Sequence, residues 1–140
     1  MVTYYQLKND ITQMLKLIGI DVSKNSLFGA IIPVPGPINN EGYYYEVYEN
    51  TYTYAYFERG EHIIICKTDD IQEFYYCIVR DIIKNYAIDY ELNNRIPNRD
   101  PRRLWLKKSL DLIKKISDEF YNKLCKEYSE ILKKYPFNDI

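Results

Sequence analysis

The sequence predicts an α+β fold: an N-terminal helix, a three- to four-stranded antiparallel meander, then a long central helix and two further helices. Two observations lead to this prediction. Apolar residues recur at helical three- and four-residue steps near the N-terminus and again after residue 70. Between these regions, residues 43–67 alternate in a strand pattern that two short turns interrupt. A chain of 140 residues can bury a core without disulfides, so we expect one domain over residues 1–140.

The N-terminal helix is expected to begin at a capping box, Thr3-Tyr4-Tyr5-Gln6, whose hydroxyl and amide can each satisfy a free backbone N–H. The helix should end near Gly19. One face of it is apolar and comprises Leu7, Ile11, Met14, Leu15 and Ile18.

The following segment, residues 23–40, is less regular. Residues 27–32 could form a short edge strand. Pro33, Pro35 and Pro37 then favour a stiff loop, because proline supplies no N–H to a strand ladder.

The meander follows if Glu49-Asn50 and Arg59-Gly60 are two-residue turns, since Gly60 readily takes a positive φ. One face is then uniformly large and apolar: Tyr43, Tyr45, Val47, Tyr52, Tyr54, Tyr56, Ile63 and Ile65. The other mixes acids, hydroxyls and aromatics: Tyr44, Glu46, Tyr48, Thr51, Thr53, Ala55, Phe57, His62, Ile64 and Cys66. An antiparallel sheet with one buried face shows this asymmetry, so we expect the first face to pack on the helices.

The central helix should begin at Thr68-Asp69-Asp70, where short polar side chains cap the helix and acids favour its positive dipole end. Its apolar positions cover most of its circumference: Ile71, Phe74, Tyr75, Tyr76, Cys77, Ile78, Val79, Ile82, Ile83, Tyr86, Ala87, Ile88 and Tyr90. Such a helix is usually covered on more than one side. We therefore expect the preceding elements to pack on one side of it and the following elements on the other.

Two further helices complete the prediction. Asp100 is suited to an N-cap and Pro101 to the first helical position. Ser117-Asp118-Glu119 separates this helix from the last one, which should run until Pro136 stops it after Tyr135.

Bulk properties narrow the functional classes. The chain has 19 basic and 20 acidic side chains and a formal net charge of -1, which disfavours nucleic-acid binding through overall charge. No apolar run approaches the roughly 18 residues of a membrane span, and the N-terminus lacks the features of a signal peptide. We therefore expect a cytoplasmic protein with no membrane partner and with no nucleic-acid partner bound through its overall charge; a local basic patch stays an alternative.

Residues that commonly carry chemistry are sparse. Cys66, Cys77 and Cys125 are odd in number and widely spaced, so we expect three small buried residues rather than disulfides or a metal site. His62 is the only histidine. No nucleotide-binding glycine motif and no nucleophile motif is present. The sequence therefore predicts no metal, no cofactor and no enzymatic activity.

The charged residues around the start of the next helix have two interpretations. We expect an ion-paired structural corner formed by Asp81, Asp89, Glu91, Arg95, Asp100, Arg102 and Arg103. The alternative is a small regulatory module that binds nucleic acid or a phosphate ligand through the Arg95–Arg103 corner, since guanidinium groups at a helix start suit anions. A small enzyme acting on a phosphorylated substrate through these groups is less favoured.

Several short sequences recur together in one known family: Leu27-Phe28-Gly29, a Tyr/Glu-rich hairpin ending Glu58-Arg59-Gly60, Asp89-Tyr90-Glu91-Leu92 with Arg95-Ile96-Pro97, Asp100 with Arg102-Arg103, and Ile131-Leu132 with Tyr135-Pro136-Phe137. In this order they resemble the immunity protein 63 family of bacterial polymorphic toxin systems, over roughly residues 27–138. The densest part of the resemblance is DYELNNRIPNRDPRR.

The resemblance implies an immunity protein, an antitoxin that binds a cognate secreted or contact-dependent toxin domain and neutralises it by direct contact. Rigid tyrosines give large contact area at small entropic cost, and acids would steer a basic toxin site. We therefore expect the mixed sheet face and its neighbouring acids to bind the toxin: Tyr44, Glu46, Tyr48, Thr51, Thr53, Phe57, Glu58 and Glu61.

Overall fold

The computed structural model describes residues 2–21 and 32–140. Its elements are α1 (Tyr4–Lys16), β1 (Val34–Pro35), β2 (Gly42–Tyr48), β3 (Thr51–Glu58), β4 (Glu61–Thr68), α2 (Ile71–Asn93), α3 (Arg102–Lys114) and α4 (Asp118–Lys134). The predicted α+β order is confirmed. Residues 27–31 of the suggested edge strand at 27–32 lie outside the described residues. The whole of the Leu27-Phe28-Gly29 sequence lies outside them too. None of the helices in the described ranges is long and apolar enough to span a bilayer.

The sheet has the order β1-β2-β3-β4. Strands β2, β3 and β4 form the expected antiparallel meander around turns at residues 49–50 and 59–60. Strand β1 differs from the prediction, because it forms within the proline stretch and pairs parallel to β2. A proline removes only its own N–H; Gly36, one position later, donates to the Tyr45 carbonyl at 2.8 Å.

The predicted register of β2 and β3 is confirmed by the pairs Tyr43–Tyr56, Tyr45–Tyr54 and Val47–Tyr52. On β4 the alternation is shifted by a bulge. Ala55 pairs with Ile64 and Tyr54 pairs with Cys66, which leaves Ile65 without a partner on β3. The prediction that Cys66 lies on the mixed face was therefore wrong, because one extra residue turns its side chain towards the helices.

Helix α2 occupies the centre of the described chain. On one side the Phe74 ring lies 4.9 Å from the Tyr52 ring and 5.9 Å from the Tyr45 ring, measured between centroids. On the other side the Tyr76 ring meets the Phe120 ring of α4 edge-on at 5.4 Å. One buried cluster includes residues of α1, the sheet, α2, α3 and α4.

The starts of α1 and α2 follow the capping chemistry expected from the sequence, and the start of α4 has a cap of the same kind that was not predicted. The Thr3 hydroxyl accepts the Gln6 N–H at 3.1 Å, and the Asp70 carboxylate accepts the Gln72 N–H at 2.9 Å. The Ser117 hydroxyl accepts the Phe120 N–H at 3.2 Å. Each cap satisfies an N–H that the first helical turn leaves free.

Candidate functional site

The face of the sheet turned away from α2 is called the outer face below. Strand pairing arranges its side chains in four rows along the sheet: Tyr48 with Thr51; Glu46 with Thr53 and Lys67; Tyr44 with Ala55 and Ile64; and Phe57 with His62. Six of the eight residues expected to bind a partner therefore share this face. The other two, Glu58 and Glu61, pair with each other beside the β3–β4 turn.

Tyr44 differs from the other expected contact residues because it is only 3% exposed. Its Oη lies 2.7 Å from Nδ1 of His62. The backbone of Gly36 lies directly against its ring: a Cβ at position 36 would come within 2.2 Å of Tyr44 Cδ2. Tyr44 therefore joins the β1 segment to the outer face and is not free to contact a partner.

The rest of the outer face has a mixed character. Tyr48 is 77% exposed and Ile64 is 62% exposed, while Glu46 is also exposed. Phe57 is half-buried, with its ring 4.8 Å from the His62 ring. Two large apolar side chains, Tyr48 and Ile64, are therefore exposed to water on this face, and the exposed Glu46 lies in the row between theirs.

A second group of predicted residues forms the structural corner between α2 and α3. The buried Glu91 accepts two hydrogen bonds from Arg95, at 2.9 and 3.1 Å. Asp100 accepts the Arg102 N–H at 3.0 Å, as expected of an N-cap, and also accepts a 2.7 Å bond from the Arg102 guanidinium. Pro101 has the helical φ and ψ of a first turn.

The C-terminal tail, residues 135–140, completes this corner. Arg102 donates to the carbonyls of Tyr135 and Pro136 at 2.7 and 2.8 Å. Arg103 lies over the Phe137 ring at 4.2 Å and pairs with Asp139. Sequence reasoning missed the tail as a partner of the corner; the one available signal was an acid and an aromatic ring placed just beyond the last helix.

These contacts lower the pKa values of two carboxylates, Asp100 and Asp139. Hydrogen bonds from the Arg102 side chain and from the Asn138 N–H lower the pKa of Asp100 well below its usual range. Hydrogen bonds from the Arg103 side chain and the Asp100 N–H lower the pKa of Asp139 to about 2. Both groups are therefore carboxylates at neutral pH, and they neutralise the neighbouring arginines.

This pairing bears on anion binding. Arg95 pairs with Glu91, Arg102 with Asp100, and both Arg99 and Arg103 with Asp139. The small cavity at the corner, of about 160 Å³, is lined by carboxylates as well as by arginines. An incoming phosphate would have to displace an internal carboxylate, so the geometry favours the structural interpretation of the corner.

Asp81 and Asp89 lie apart from these contacts. Asp81 bonds to Arg80 at 3.2 Å, and Arg80 also reaches Glu127 of α4 at 3.3 Å. Burial and the nearby Asp81 carboxylate raise the pKa of Tyr54. The side chain of Asp89 forms no ion pair within the described residues. Asp81, the acid that interrupts the apolar surface of α2, therefore has an arginine partner, Arg80, which lies on the same helix.

One group of side chains in the described ranges could hold a metal ion. The ligand atoms of Cys66, Glu73 and Cys77 all lie within 4.8 Å of one another. Burial and a hydrogen bond with Cys66 raise the pKa of the Cys77 thiol. The wide spacing of the cysteines in the sequence gave no indication of this cluster, because the contact depends on the bulge in β4.

Comparison with known proteins gives one family. The family model described as Immunity protein 63 matches residues 49–130, more than half of the chain. The matched span is shorter than the predicted one; it contains β3, β4, α2, α3 and most of α4, and leaves out β2 and the C-terminal tail. No curated protein and no solved structure gives a significant match.

Proposed function

The chain belongs to the immunity protein 63 family, and on that premise we propose that it binds a cognate toxin domain and neutralises it by direct contact. In this role it would act in the bacterial cytoplasm, as part of a polymorphic toxin system. Neutralisation by contact requires a complementary surface and no catalytic group.

The outer face is the surface that we propose for this contact. The observation that carries the proposal is the exposure of Tyr48 and Ile64, at 77% and 62%, on the same face of one sheet. A buried tyrosine commonly supplies a large share of the affinity of an interface, and a buried aliphatic side chain adds apolar contact area. Thr51, Thr53 and Phe57 are half-buried on the same face, beside Tyr48, between the rows of Tyr48 and Ile64, and beyond Ile64 respectively, and would extend the contact.

Acidic residues border this face at both ends of the sheet. Glu46 lies within it, Glu49 is in the β2–β3 turn, and Glu58 and Glu61 flank the β3–β4 turn. Lys67 and Arg59 are the basic residues in the same region. This excess of acid would attract a toxin whose active site is basic and would increase the rate of association.

The arginine corner has a different role in this proposal. Its side chains hold the start of α3 and the C-terminal tail together, and its arginines are already neutralised. We therefore assign the corner to stability, and no observation favours the nucleic-acid or phosphate alternative.

The test is a binding experiment with the toxin domain encoded beside this protein. The wild-type chain should form a stable complex with that domain and protect cells that express it. Tyr48→Ala should weaken affinity by at least about 30-fold, which corresponds to the loss of about 2 kcal/mol typical of a dominant interface residue. Tyr5→Ala is the matched control, because Tyr5 is 82% exposed but lies on α1.

The possible failures of this experiment have separate meanings. If wild type binds and protects but Tyr48→Ala and Ile64→Ser bind equally well, the outer face is not the interface. The next surface to examine would then be the groove at the end of α4, of about 620 Å³ and lined in part by Ile131 and Tyr135. If the folded wild-type protein neither binds nor protects, the proposed function itself is wrong.

A further inference from the structure

Two thiols and a carboxylate meet between β4 and α2, on the helix side of the sheet. The ligand atoms of Cys66, Glu73 and Cys77 lie within 4.8 Å of one another, and Cys77 Sγ is 3.9 Å from Glu73 Oε1. Glu73 and Cys77 are four residues apart on α2, so both side chains leave the helix on the same side. The cluster therefore combines two soft thiol ligands with one hard carboxylate ligand. Strand β4 contributes Cys66, and helix α2 contributes Glu73 and Cys77.

The bulge in β4 brings the third ligand into this set. With regular alternation Cys66 would share a face with Ile64 and point away from α2. Because Ile65 is left unpaired, Cys66 instead lies opposite Tyr54, on the face that packs against the helix. Bulges commonly re-aim a side chain in this way, and here the redirected side chain is a thiol.

The charges around the cluster suit a divalent cation. Two thiolates and the Glu73 carboxylate would carry three negative charges. Lys123 of α4 forms an ion pair with Glu73 and supplies one positive charge. Arg80, the other nearby cation, is already engaged by Asp81 and Glu127. A dication would therefore bring the net charge of the cluster to zero.

We propose that Cys66, Glu73 and Cys77 bind a Zn²⁺ ion that links the edge strand β4 to the central helix. Thiolate sulfur and carboxylate oxygen are both zinc ligands, and three protein ligands leave the fourth tetrahedral position for water or for a group from a partner. Zinc–ligand bonds of about 2.0–2.3 Å place two ligands roughly 3.3–3.8 Å apart. The Cys77 and Glu73 ligand atoms are already near this separation at 3.9 Å, and a pair as far apart as 4.8 Å needs to close by about 1 Å. Binding releases the two thiol protons to solvent.

The experiment uses Co²⁺ as a spectroscopic substitute for Zn²⁺. The full chain, reduced and freed of metal by chelation, should bind one Co²⁺ per molecule. It should then show thiolate-to-cobalt charge transfer in the near ultraviolet and the visible bands of tetrahedral cobalt. One equivalent of Zn²⁺ should abolish both. Cys66→Ser and Cys77→Ser should each weaken Co²⁺ binding by at least about tenfold. Cys125→Ser is the matched control and should bind as wild type does, because the third thiol lies outside the cluster.

A conservative variant keeps the test decisive if a cysteine variant fails to fold. Glu73→Gln preserves side-chain volume and removes the carboxylate, so it should reduce both Co²⁺ affinity and the rise in melting temperature that Zn²⁺ produces in wild type. Wild-type protein without charge transfer would overturn the proposal. So would charge transfer that persists unchanged in Cys66→Ser and Cys77→Ser, or a Cys66–Cys77 disulfide that forms with peroxide in a chain that binds no metal.

Discussion

At the scale of single residues, Asp100 shows how one side chain can organise two distant segments. It is 8% exposed, and its Oδ1 accepts the Arg102 N–H at 3.0 Å. Its Oδ2 accepts a guanidinium N–H of Arg102 at 2.7 Å and the Asn138 N–H of the C-terminal tail at 2.9 Å. The same carboxylate therefore caps α3, pairs with an arginine and holds the tail.

Asp139 makes the corner sensitive to acid. Its pKa falls from an ordinary value of 3.8 to about 2 in the folded chain because of hydrogen bonds from Arg103 and from the Asp100 N–H. A carboxylate whose pKa is lower in the folded chain than in the unfolded chain stabilises the folded state. This stabilisation is complete at pH values above the unfolded pKa, and it is lost as the pH falls through the folded pKa. We therefore predict that wild type and Asp139→Asn differ most in free energy of unfolding above about pH 5, and that the difference shrinks between about pH 4 and pH 2.

Urea unfolding at a series of pH values measures this difference. The control is Glu41→Gln, an exposed acid in the loop before β2, which should leave the shape of the wild-type pH profile unchanged. An Asp139→Asn difference that stays constant from pH 7 to pH 2 would show that the carboxylate charge contributes nothing to the corner.

At the scale of elements, the turn between β3 and β4 has a backbone conformation that suits one of its two residues and is unfavourable for the other. Arg59 and Gly60 both have positive φ, at 52° and 78°, as a two-residue turn of type I′ requires. Gly60 adopts this conformation at little cost, as the sequence predicted, but Arg59 carries a Cβ that disfavours it. Asn-Gly is the preferred sequence for such a turn.

We predict that Arg59→Asn stabilises the protein by up to about 1 kcal/mol, because Asn tolerates positive φ better than Arg. Gly60→Ala, at the neighbouring position of the same turn, should destabilise by about 1 kcal/mol or more. Chemical denaturation of the two variants and wild type measures both effects. A loss of stability in Arg59→Asn would mean that the Arg59 side chain makes a contribution that outweighs its backbone strain.

At the scale of the whole molecule, α2 joins the sheet to the helices that follow it. Phe74 packs on Tyr52 and Tyr45 of the sheet, and Tyr76, two residues further along α2, packs on Phe120 of α4. Lys84 of α2 also lies 5.8 Å from the centre of the Trp105 ring on α3. The arrangement predicted from the apolar circumference of this helix is confirmed, and a single buried cluster runs through it.

We predict that Phe74→Ala lowers the free energy of unfolding by about 3–5 kcal/mol, the cost of removing a buried ring and leaving a cavity. Leu92→Ala, at a position on the same helix that is 50% exposed, should cost much less. Far-ultraviolet circular dichroism and Trp105 fluorescence should report the same transition, as expected of one domain. Separate transitions would show that the sheet and the C-terminal helices unfold independently.

The candidate site was predictable only in part, and particular residues show why. Strand alternation correctly placed Glu46, Tyr48 and Thr53 on one face, because alternation depends on neighbours along a strand. The same rule cannot reveal that the Gly36 backbone lies against Tyr44 and removes it from the surface. Whether the exposed residues of that face contact a toxin stays a prediction.

By itself, the sequence determined the order of the elements, three helix caps, both hairpin turns and the register of β2 on β3. These features depend on residues that are neighbours along the chain or lie just across a short turn. Only the tertiary structure decided that Cys66 faces α2, that the tail carrying Asp139 closes the arginine corner, and that Asp81 pairs with Arg80. The physical reason differs for each of these three outcomes. The direction of Cys66 depends on one inserted strand residue, and the arginine corner depends on segments up to about forty positions apart in the chain. The partner of Asp81 depends on a choice among several arginines of equal charge, and a local sequence pattern encodes none of these.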